Sequence, residues 1–227
     1  GNFILAWGEF GIDDGQFNKP KGITTDSNGI VYVADSKNYR IQTFTSDGEF
    51  LSSFGEYGFG DCKLKIPVDV TVYEDFIYVS DPGNYKIEKY ALDGTCLESF
   101  DNRFGGASVR PGGLTADLDG NVYFVDSVSY RVVKMSSEGR TLGQFGQVGM
   151  GDGKFLQPAD IVLDNRGYLF VLDTSVGLIQ KFDTPIVDQI EAILAAEQFK
   201  KLQELAYATA EAEAEAVAEA EAEAEAV

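Results

Sequence analysis

The chain contains no histidine among its 227 residues. Histidine is the most frequent general base of enzymes and the commonest zinc ligand. Its absence therefore excludes a Ser-His-Asp relay and a histidine-bound zinc site. Long apolar runs are also missing: no stretch of about 18 apolar residues occurs, so no membrane span is expected. These absences remove several common hydrolytic chemistries and a membrane-spanning segment from what is expected.

Basic residues are scarce as well. Lys and Arg total 18 against 37 Asp and Glu, which gives a net charge of -19. The residues after Thr184 carry -9 of that charge, from ten Glu and one Asp against two Lys, and the rest of the chain carries -10. An acidic protein repels the phosphate backbone, so no nucleic-acid partner is expected. The acidic composition favours an extracellular or cell-surface location.

The start of the chain shows no signal-peptide pattern. It opens inside a β-rich run, so we expect a processed form or part of a longer chain.

A repeat organises most of the sequence. Residues 14–44 hold three short β-rich runs separated by Gly, Asn, Asp and Ser, the pattern of strands and tight turns. The stretch recurs three more times at a spacing of about 46 residues, a period typical of propeller blades or solenoid units. Every copy has a proline before its first run and an aspartate at the end of its second: Pro20, Pro67, Pro111 and Pro158, and Asp35, Asp81, Asp126 and Asp173.

The first repeat resembles the NHL-repeat family. The resemblance rests on residues 13–17 (Asp-Asp-Gly-Gln-Phe) before the proline, residues 31–35 (Val-Tyr-Val-Ala-Asp) and residues 38–41 (Asn-Tyr-Arg-Ile). The pattern weakens in the second and third repeats. It returns in the fourth as residues 151–155 (Gly-Asp-Gly-Lys-Phe) and 171–173 (Val-Leu-Asp).

The resemblance implies an all-β fold for residues 1–184, a β-propeller of four NHL-type four-stranded blades. Residues 3–7 match the run that ends each of the first three repeats, whereas the fourth repeat stops after its third run. We therefore expect residues 3–7 to pair with residues 178–182 and so close the ring. NHL propellers usually have six blades, which leaves an alternative open: the four repeats form an arc that another chain, or residues absent here, completes.

From residue 185 to residue 227 the pattern becomes helical. Pro185 suits the first position of a helix after a Thr cap. Four apolar side chains follow at helical spacing: Ile186, Ile190, Ile193 and Leu194. Beyond Tyr207 the chain is almost entirely Ala and Glu, a low-complexity segment. We predict a C-terminal α-helical tail whose apolar stripe contacts other protein chains, either copies of itself or different proteins.

The repeat aspartates are expected to be structural. Each should accept hydrogen bonds from its own turn, and in three repeats a cation stands five residues later: Arg40, Lys86 and Arg131. A ring of four carboxylates is an alternative calcium site, but EF-hand spacing is absent. No metal site and no cofactor are therefore expected.

Three tyrosines occupy one position in successive repeats, directly before those cations: Tyr39, Tyr85 and Tyr130. The fourth repeat has Gly177 there. Tyrosine combines apolar area with a polar tip, so these side chains are candidates to stack on sugars or to anchor a partner protein. The alternative is that they pack each turn against the next blade.

The two cysteines, Cys62 and Cys96, form an even pair that invites a disulfide. Their places in the repeat indicate otherwise, because Cys62 lies in a crossing between blades and Cys96 begins an outer strand near the opposite face. A strand length separates such positions by roughly 15 Å, beyond the reach of a disulfide. We expect free thiols and no transition-metal site.

The sequence thus predicts a non-enzymatic propeller that binds proteins or glycans, or serves as a structural module, and assembles through its C-terminal helix. A metal-dependent hydrolase or lyase of the propeller type is the alternative from another class. Such an enzyme needs several carboxylates or amides that converge on the central channel. A second alternative is a surface-layer, filament or stalk component.

Overall fold

The computed structural model describes residues 1–101 and 109–184 of the chain. Over those residues the fold is all-β, with fifteen strands in four antiparallel sheets. Consecutive strands pair within each sheet, and the sheets are the blades of a four-bladed β-propeller. The predicted all-β propeller fold and its number of blades are confirmed.

The strands are numbered in chain order, and each blade begins with its inner strand. Blade 1 contains β1 (Pro20–Thr25), β2 (Val31–Asp35), β3 (Arg40–Phe44) and β4 (Phe50–Phe54). Blade 2 contains β5 (Asp69–Tyr73), β6 (Phe76–Asp81), β7 (Lys86–Ala91) and β8 (Cys96–Asp101). Blade 3 contains β9 (Pro111–Ala116), β10 (Val122–Asp126), β11 (Arg131–Met135) and β12 (Thr141–Phe145). Blade 4 contains β13 (Pro158–Leu163), β14 (Leu169–Asp173) and β15 (Leu178–Phe182).

Apolar side chains fill the spaces between neighbouring blades. Along β2, Tyr32 and Ala34 belong to the cluster shared with blade 2, whereas Val31 and Val33 belong to a separate cluster on the other face. Alternate side chains of a strand point to opposite faces. A strand covered on both faces is therefore apolar along its whole length, which is why the second strands read as near-continuous Val, Ile, Tyr and Phe runs.

The blades pack in chain order. Their inner strands contact one another in series, β1 with β5, β5 with β9, and β9 with β13. Among the described residues, β13 does not pack on β1 in that way. The first face of blade 1 and the last face of blade 4 consequently have no blade against them in this part of the chain.

The predicted closure by residues 3–7 is wrong for this structure. These residues form no strand, and blade 4 has three strands among the residues described. A β-strand needs a partner for its backbone N–H and C=O groups. The partner expected for residues 3–7 was β15, which belongs to a blade that does not pack against blade 1.

The prediction of two free thiols is also wrong, because Cys62 and Cys96 form a disulfide with their Cα atoms 5.9 Å apart. The Cys62 N–H donates to the Glu88 carboxylate (3.2 Å) and to Ser99 Oγ (2.9 Å). The Tyr90 hydroxyl donates to the Cys62 carbonyl oxygen (3.2 Å). These hydrogen bonds hold the crossing loop against β7 and β8, where Cys96 begins β8, and an estimate from strand length alone could not include them.

The chain divides into two compact units. The blades form the first, which contains Gly1–Asp164 and Leu169–Phe182. The second contains Asn165–Tyr168 and Asp183–Val227. In the second unit the Thr184 hydroxyl donates to the Gly167 carbonyl oxygen at 2.8 Å.

The predicted helical tail lies outside the described residues. This applies to all four side chains of its apolar stripe: Ile186, Ile190, Ile193 and Leu194. Within residues 1–101 and 109–184, the structure has no helix with the length and apolar character needed to cross a bilayer.

Candidate binding face

A buried aspartate ends the second strand of every blade: Asp35, Asp81, Asp126 and Asp173. Each carboxylate accepts a hydrogen bond from a backbone N–H just before the first strand of the same blade. In blade 1 the Asn18 N–H lies 2.7 Å from the Asp35 carboxylate. These bonds fasten the end of the second strand to the start of the first, so both lie at one face of the propeller. We name it the repeat face, defined by the four aspartate turns.

The cations after these aspartates do not all pair with them. Two form ion pairs within the turn: Arg40 Nε to Asp35 at 3.0 Å and Arg131 Nε to Asp126 at 3.6 Å. Lys86 instead pairs with Asp61, at 2.9 Å. Burial raises the pKa of Asp81, and the backbone N–H groups that bind its carboxylate, first that of Ile66, oppose the rise. The Asp81 carboxylate is thus held mainly by backbone donors.

The three tyrosines singled out in the sequence all adopt a left-handed backbone in the turn between the second and third strands. Their φ angles are 58° for Tyr39, 60° for Tyr85 and 57° for Tyr130. Gly177 takes the equivalent position in blade 4 with φ 65°. A residue with a side chain costs about 1 kcal/mol more than glycine in this region. The backbone therefore favours glycine at a position where three blades carry tyrosine.

The surroundings of the tyrosines differ. Tyr39 packs against the cluster between blades 1 and 2, and its ring centroid lies 4.7 Å from that of Tyr57. Tyr130 packs against the cluster between blades 3 and 4. Tyr85 is 49% exposed. Packing accounts for two of the three side chains and leaves Tyr85 as a surface residue.

An exposed apolar motif is present that is not among the site residues predicted from the sequence. An apolar-Gly-apolar triplet occurs in three of the loops that lead into a blade: residues 10–12 (Phe-Gly-Ile), 57–59 (Tyr-Gly-Phe) and 148–150 (Val-Gly-Met). The first residue of each makes an isolated parallel bridge to the residue seven positions later. All six apolar side chains are exposed. We name the triplets the rim knuckles; their recurrence after 47 and then 91 residues, one and about two repeat periods, is the signal that could have found them.

The first two rim knuckles lie beside the tyrosine turns of blades 1 and 2. In blades 1 and 2 the asparagine before the tyrosine donates a side-chain hydrogen bond to the central glycine of a knuckle: Asn38 to the Gly11 carbonyl (2.8 Å) and Asn84 to the Gly58 carbonyl (2.9 Å). In the second knuckle, Tyr57 meets Phe59 edge-on at 6.0 Å, and Lys65 Nζ lies 4.6 Å from the Phe59 ring centre. These two knuckles and the tyrosine turns thus belong to the same face, and the third knuckle, with its equivalent parallel bridge, holds the same place before blade 4.

A groove of about 520 Å³ lies among the inner strands of all four blades. Pro82 and Ser127, which follow two of the repeat aspartates, also line it, so the groove lies at the repeat face. Four of its lining residues carry ionisable side chains of both signs: Lys21, Asp69, Arg110 and Asp160.

The groove carboxylates follow an alternation that is likewise not among the predicted features. Two positions after the repeat prolines, Gly and Asp alternate from blade to blade: Gly22, Asp69, Gly113 and Asp160. A Cβ added to Gly22 would collide with Asp69, and one added to Gly113 would collide with Asp160. Asp69 in turn accepts the Leu114 N–H of the next blade at 2.8 Å. Close approach between blades explains why glycine stands at every second position.

Burial raises the pKa of Asp69 to about 7. The N–H of Leu114 opposes the rise, and the charge of Asp160 adds to it. Asp69 therefore changes its charge near neutral pH. The groove offers two carboxylates to a cationic or hydrogen-bond-donating group. In the part of the chain that the structure describes, no three or more His, Cys, Asp or Glu side chains are placed to hold a metal ion.

The comparisons with known proteins concern the repeat and the fold. Residues 17–44 match the family model of the NHL repeat. The chain is 30% identical to Protein brain tumor of Drosophila melanogaster over 148 residues, which are 63% of this chain and 14% of that protein. It is 45% identical to human NHL repeat-containing protein 3 over 56 residues, 23% of this chain and 16% of that protein. The chain thus spans a small part of the length of these relatives.

Solved structures with a similar fold include virginiamycin B lyase from Staphylococcus aureus. Its TM-score is 0.51 at 18% identity, covering 73% of this chain and 56% of the lyase chain. Kuenenia stuttgartiensis hydrazine synthase has a TM-score of 0.56 at 11% identity, covering 72% of this chain and 46% of its own. At these identities the likeness shows the fold alone.

The sequence period, the blade architecture and the family match agree with one another. The repeat motif of residues 17–44 recurs in each blade with its proline and aspartate in place. Residues 17–44 thus carry an NHL repeat, and the chain has the fold of a four-bladed β-propeller.

Proposed function

We propose that the chain is a non-enzymatic, protein-binding module that contacts its partner through the repeat face. The observation that carries the proposal is the set of rim knuckles, six apolar side chains exposed at repeat spacing on one face. Apolar side chains scattered singly over a surface need no explanation, whereas apolar side chains gathered at one face mark interaction sites. Tyr85, exposed and in an unfavourable backbone conformation, lies on the same face.

The central groove adds polar recognition to the apolar rim. Asp69 and Asp160 suit a Lys or Arg side chain of the partner, because charge-assisted hydrogen bonds to carboxylates are strong and directional. The partner that fits both features is a protein segment with apolar side chains for the knuckles and a basic residue for the groove.

Catalysis and glycan binding have less support. A propeller hydrolase or lyase of the metal-dependent kind needs a wider convergent ligand set than the two groove carboxylates, and the chain has no histidine to add. Sugar stacking along three tyrosines is disfavoured because Tyr39 and Tyr130 pack against the core.

We propose an extracellular or cell-surface location for the protein. The Cys62–Cys96 disulfide supports it, since disulfides persist in oxidising compartments. We also propose that a C-terminal helix makes a second contact with other chains, through the apolar stripe that lies outside the described residues.

A peptide display experiment tests the repeat face. The full-length protein selects binders from a random peptide library, and the affinity of an enriched peptide is measured for wild type and for Phe59→Ser. Burying a side chain the size of phenylalanine stabilises a complex by about 1.5–3 kcal/mol. We therefore expect Phe59→Ser to weaken binding at least tenfold and the peptides to combine apolar with basic residues.

Leu142→Ser is the matched control, because Leu142 is also an exposed apolar residue but lies on the outer strand β12. It should leave the affinity unchanged. Selected peptides that bind Phe59→Ser as tightly as wild type, or a library that yields no binder, would contradict the proposal.

A further inference from the structure

The repeats allow each position to be compared with its equivalents in the other blades. Ile23 on β1 is 63% exposed. Its equivalents in the other blades are buried: Val70 (2%), Leu114 (4%) and Ile161 (5%). Those residues are covered by the preceding blade. Blade 1 therefore presents a surface built to receive a preceding blade, and no blade among the described residues covers it.

Blade 4 presents the opposite surface. Ile179 on β15 is 70% exposed, whereas its equivalents are fully buried: Ile41, Ile87 and Val132. Leu172 on β14 is exposed too, although the residues in its place in the other blades are fully buried: Ala34, Ser80 and Val125. Those residues face the following blade. Blade 4 thus carries an apolar surface built to receive a following blade.

The two open surfaces are complementary halves of one blade interface. The alternation of Gly and Asp along the inner strands requires a glycine after Asp160, and blade 1 supplies Gly22. Ile23 follows Gly22 as Leu114 follows Gly113. The Ile23 N–H can therefore serve Asp160 as the Leu114 N–H serves Asp69.

Residues 3–7 supply a strand for the same interface. Trp7 packs over Gly48 of blade 1. The ends of the fourth strands do the same on the next blades: Phe54 over Gly94 and Phe100 over Gly139. Residues 3–7 consequently lie where the fourth strand of a blade preceding blade 1 would lie. Phe3 and Ile4 are exposed, and β15 has no fourth strand beside it among the described residues.

We propose that a second copy of this chain fills the interface, with residues 3–7 of one copy added as the fourth strand of blade 4 in the next. Strand addition to an open sheet edge is an established mode of protein association. Within one chain, residues 3–7 (the donor segment) and β15 (the acceptor edge) belong to the same unit, and they do not pair. Each copy carries one donor and one acceptor, so the copies join head to tail.

The register of the added strand follows from the other blades. In blade 1 residues 43 and 52 are paired, with the Thr43 and Ser52 hydroxyl oxygens 2.8 Å apart. The repeat-equivalent positions are Lys181 on β15 and Leu5 in the donor segment. Cysteines at these two positions should therefore lie within disulfide reach when one copy binds the next.

The test uses full-length Leu5→Cys and Lys181→Cys, mixed and oxidised mildly, with products separated by mass under non-reducing conditions. We expect a cross-linked species of two chains at least tenfold above that from Leu5→Cys mixed with Leu142→Cys. Leu142 is exposed on β12, a strand that already has its place in blade 3, so this mixture measures random collisions.

Closure within one chain gives a different result. A chain that carries both Leu5→Cys and Lys181→Cys would then form the cross-link within itself, without a gain in mass. The mixture of the two single variants would form no cross-link. Either that pattern or a yield no higher than the collision control overturns the proposal.

A second measurement does not depend on engineered cysteines. Sedimentation should show that Ile179→Glu raises the dissociation constant of self-association at least tenfold, whereas Leu142→Glu leaves it unchanged. A wild-type protein that remains monomeric, or one whose association ignores Ile179→Glu, also overturns the proposal.

Discussion

Glu88 stands where blades 1 and 4 carry glutamine. Gln42 and Gln180 each accept a backbone N–H of the crossing loop, and their amides each donate to the next carbonyl oxygen of that loop. Glu88 accepts the equivalent N–H of Cys62 but has no amide to donate, and its Oε1 has no hydrogen-bond partner. Burial raises the pKa of Glu88 to about 7, against the hydrogen bond from Ser99.

The raised pKa of Glu88 predicts that its charged carboxylate destabilises the folded state at high pH. Glu88→Gln should remove this destabilisation. A carboxyl whose pKa is higher in the folded state than in the unfolded state favours folding below its unfolded pKa of 4.5. That contribution is lost as the pH rises through the folded value of about 7. We expect Glu88→Gln to be more stable than wild type by about 1–3 kcal/mol at pH 8, with a much smaller gain at pH 5. Chemical denaturation at the two pH values measures the free energy of unfolding.

Glu49→Gln is the control, since Glu49 is an exposed glutamate on the loop before β4. It should leave the pH dependence of wild type in place. An equal gain from Glu88→Gln at pH 5 and pH 8 would show that the amide hydrogen bond, rather than titration of the carboxyl, accounts for the effect.

Tyr85 and Tyr39 share a left-handed backbone but differ in burial. Replacement by glycine relieves about 1 kcal/mol of backbone cost at either position, and it also loosens the unfolded chain. Tyr85→Gly should therefore change the free energy of unfolding by less than about 1 kcal/mol. Tyr39→Gly should destabilise by more than that, because it also removes the contacts with Tyr57 and the core. Denaturation of the two variants side by side measures the difference in their free energies of unfolding. Equal losses of stability would show that Tyr85, like Tyr39, stabilises the fold by packing.

Most strands could be predicted from the local sequence pattern. The second and third of the β-rich runs expected in residues 14–44 are the strands β2 and β3. Such agreement follows because turn residues and alternating apolar side chains are local signals. The same signals identified residues 3–7 as a fourth strand, but they do not say which sheet edge lies nearby.

The missed features of the candidate site are contacts between distant residues. Asp69 is informative only once Gly22 and Leu114 are known to lie against it. Cys62 reaches Cys96 because Glu88 and Ser99 hold its loop. The rim knuckles and the Gly-Asp alternation recur at the repeat spacing, so both can be identified from the sequence alone. The disulfide and the raised carboxyl pKa values depend on packing that no spacing records.

At the scale of the whole molecule, charge opposes the association of copies. The net charge is -19, of which -9 lies after Thr184. Repulsion between like-charged copies is screened by salt over a Debye length of about 10 Å at 0.1 M. The head-to-tail contact is formed by apolar surfaces of the first unit, so it should strengthen as salt rises. The C-terminal residues are expected to make separate contacts with other chains through their apolar stripe.

Shortening the chain after Thr184 should therefore separate the two contacts. We expect the shortened protein to form assemblies with fewer chains, because the contacts made by the apolar stripe are lost. The cross-link between Leu5→Cys and Lys181→Cys should persist and depend less on salt, because the remaining charge of -10 repels a second copy less strongly. Light scattering and the cross-linking yield at 0.05 M and 0.5 M NaCl measure the two effects. An unchanged number of chains in the assembly would contradict assembly through the tail. Loss of the cross-link would show that the contact made by residues 3–7 depends on the tail.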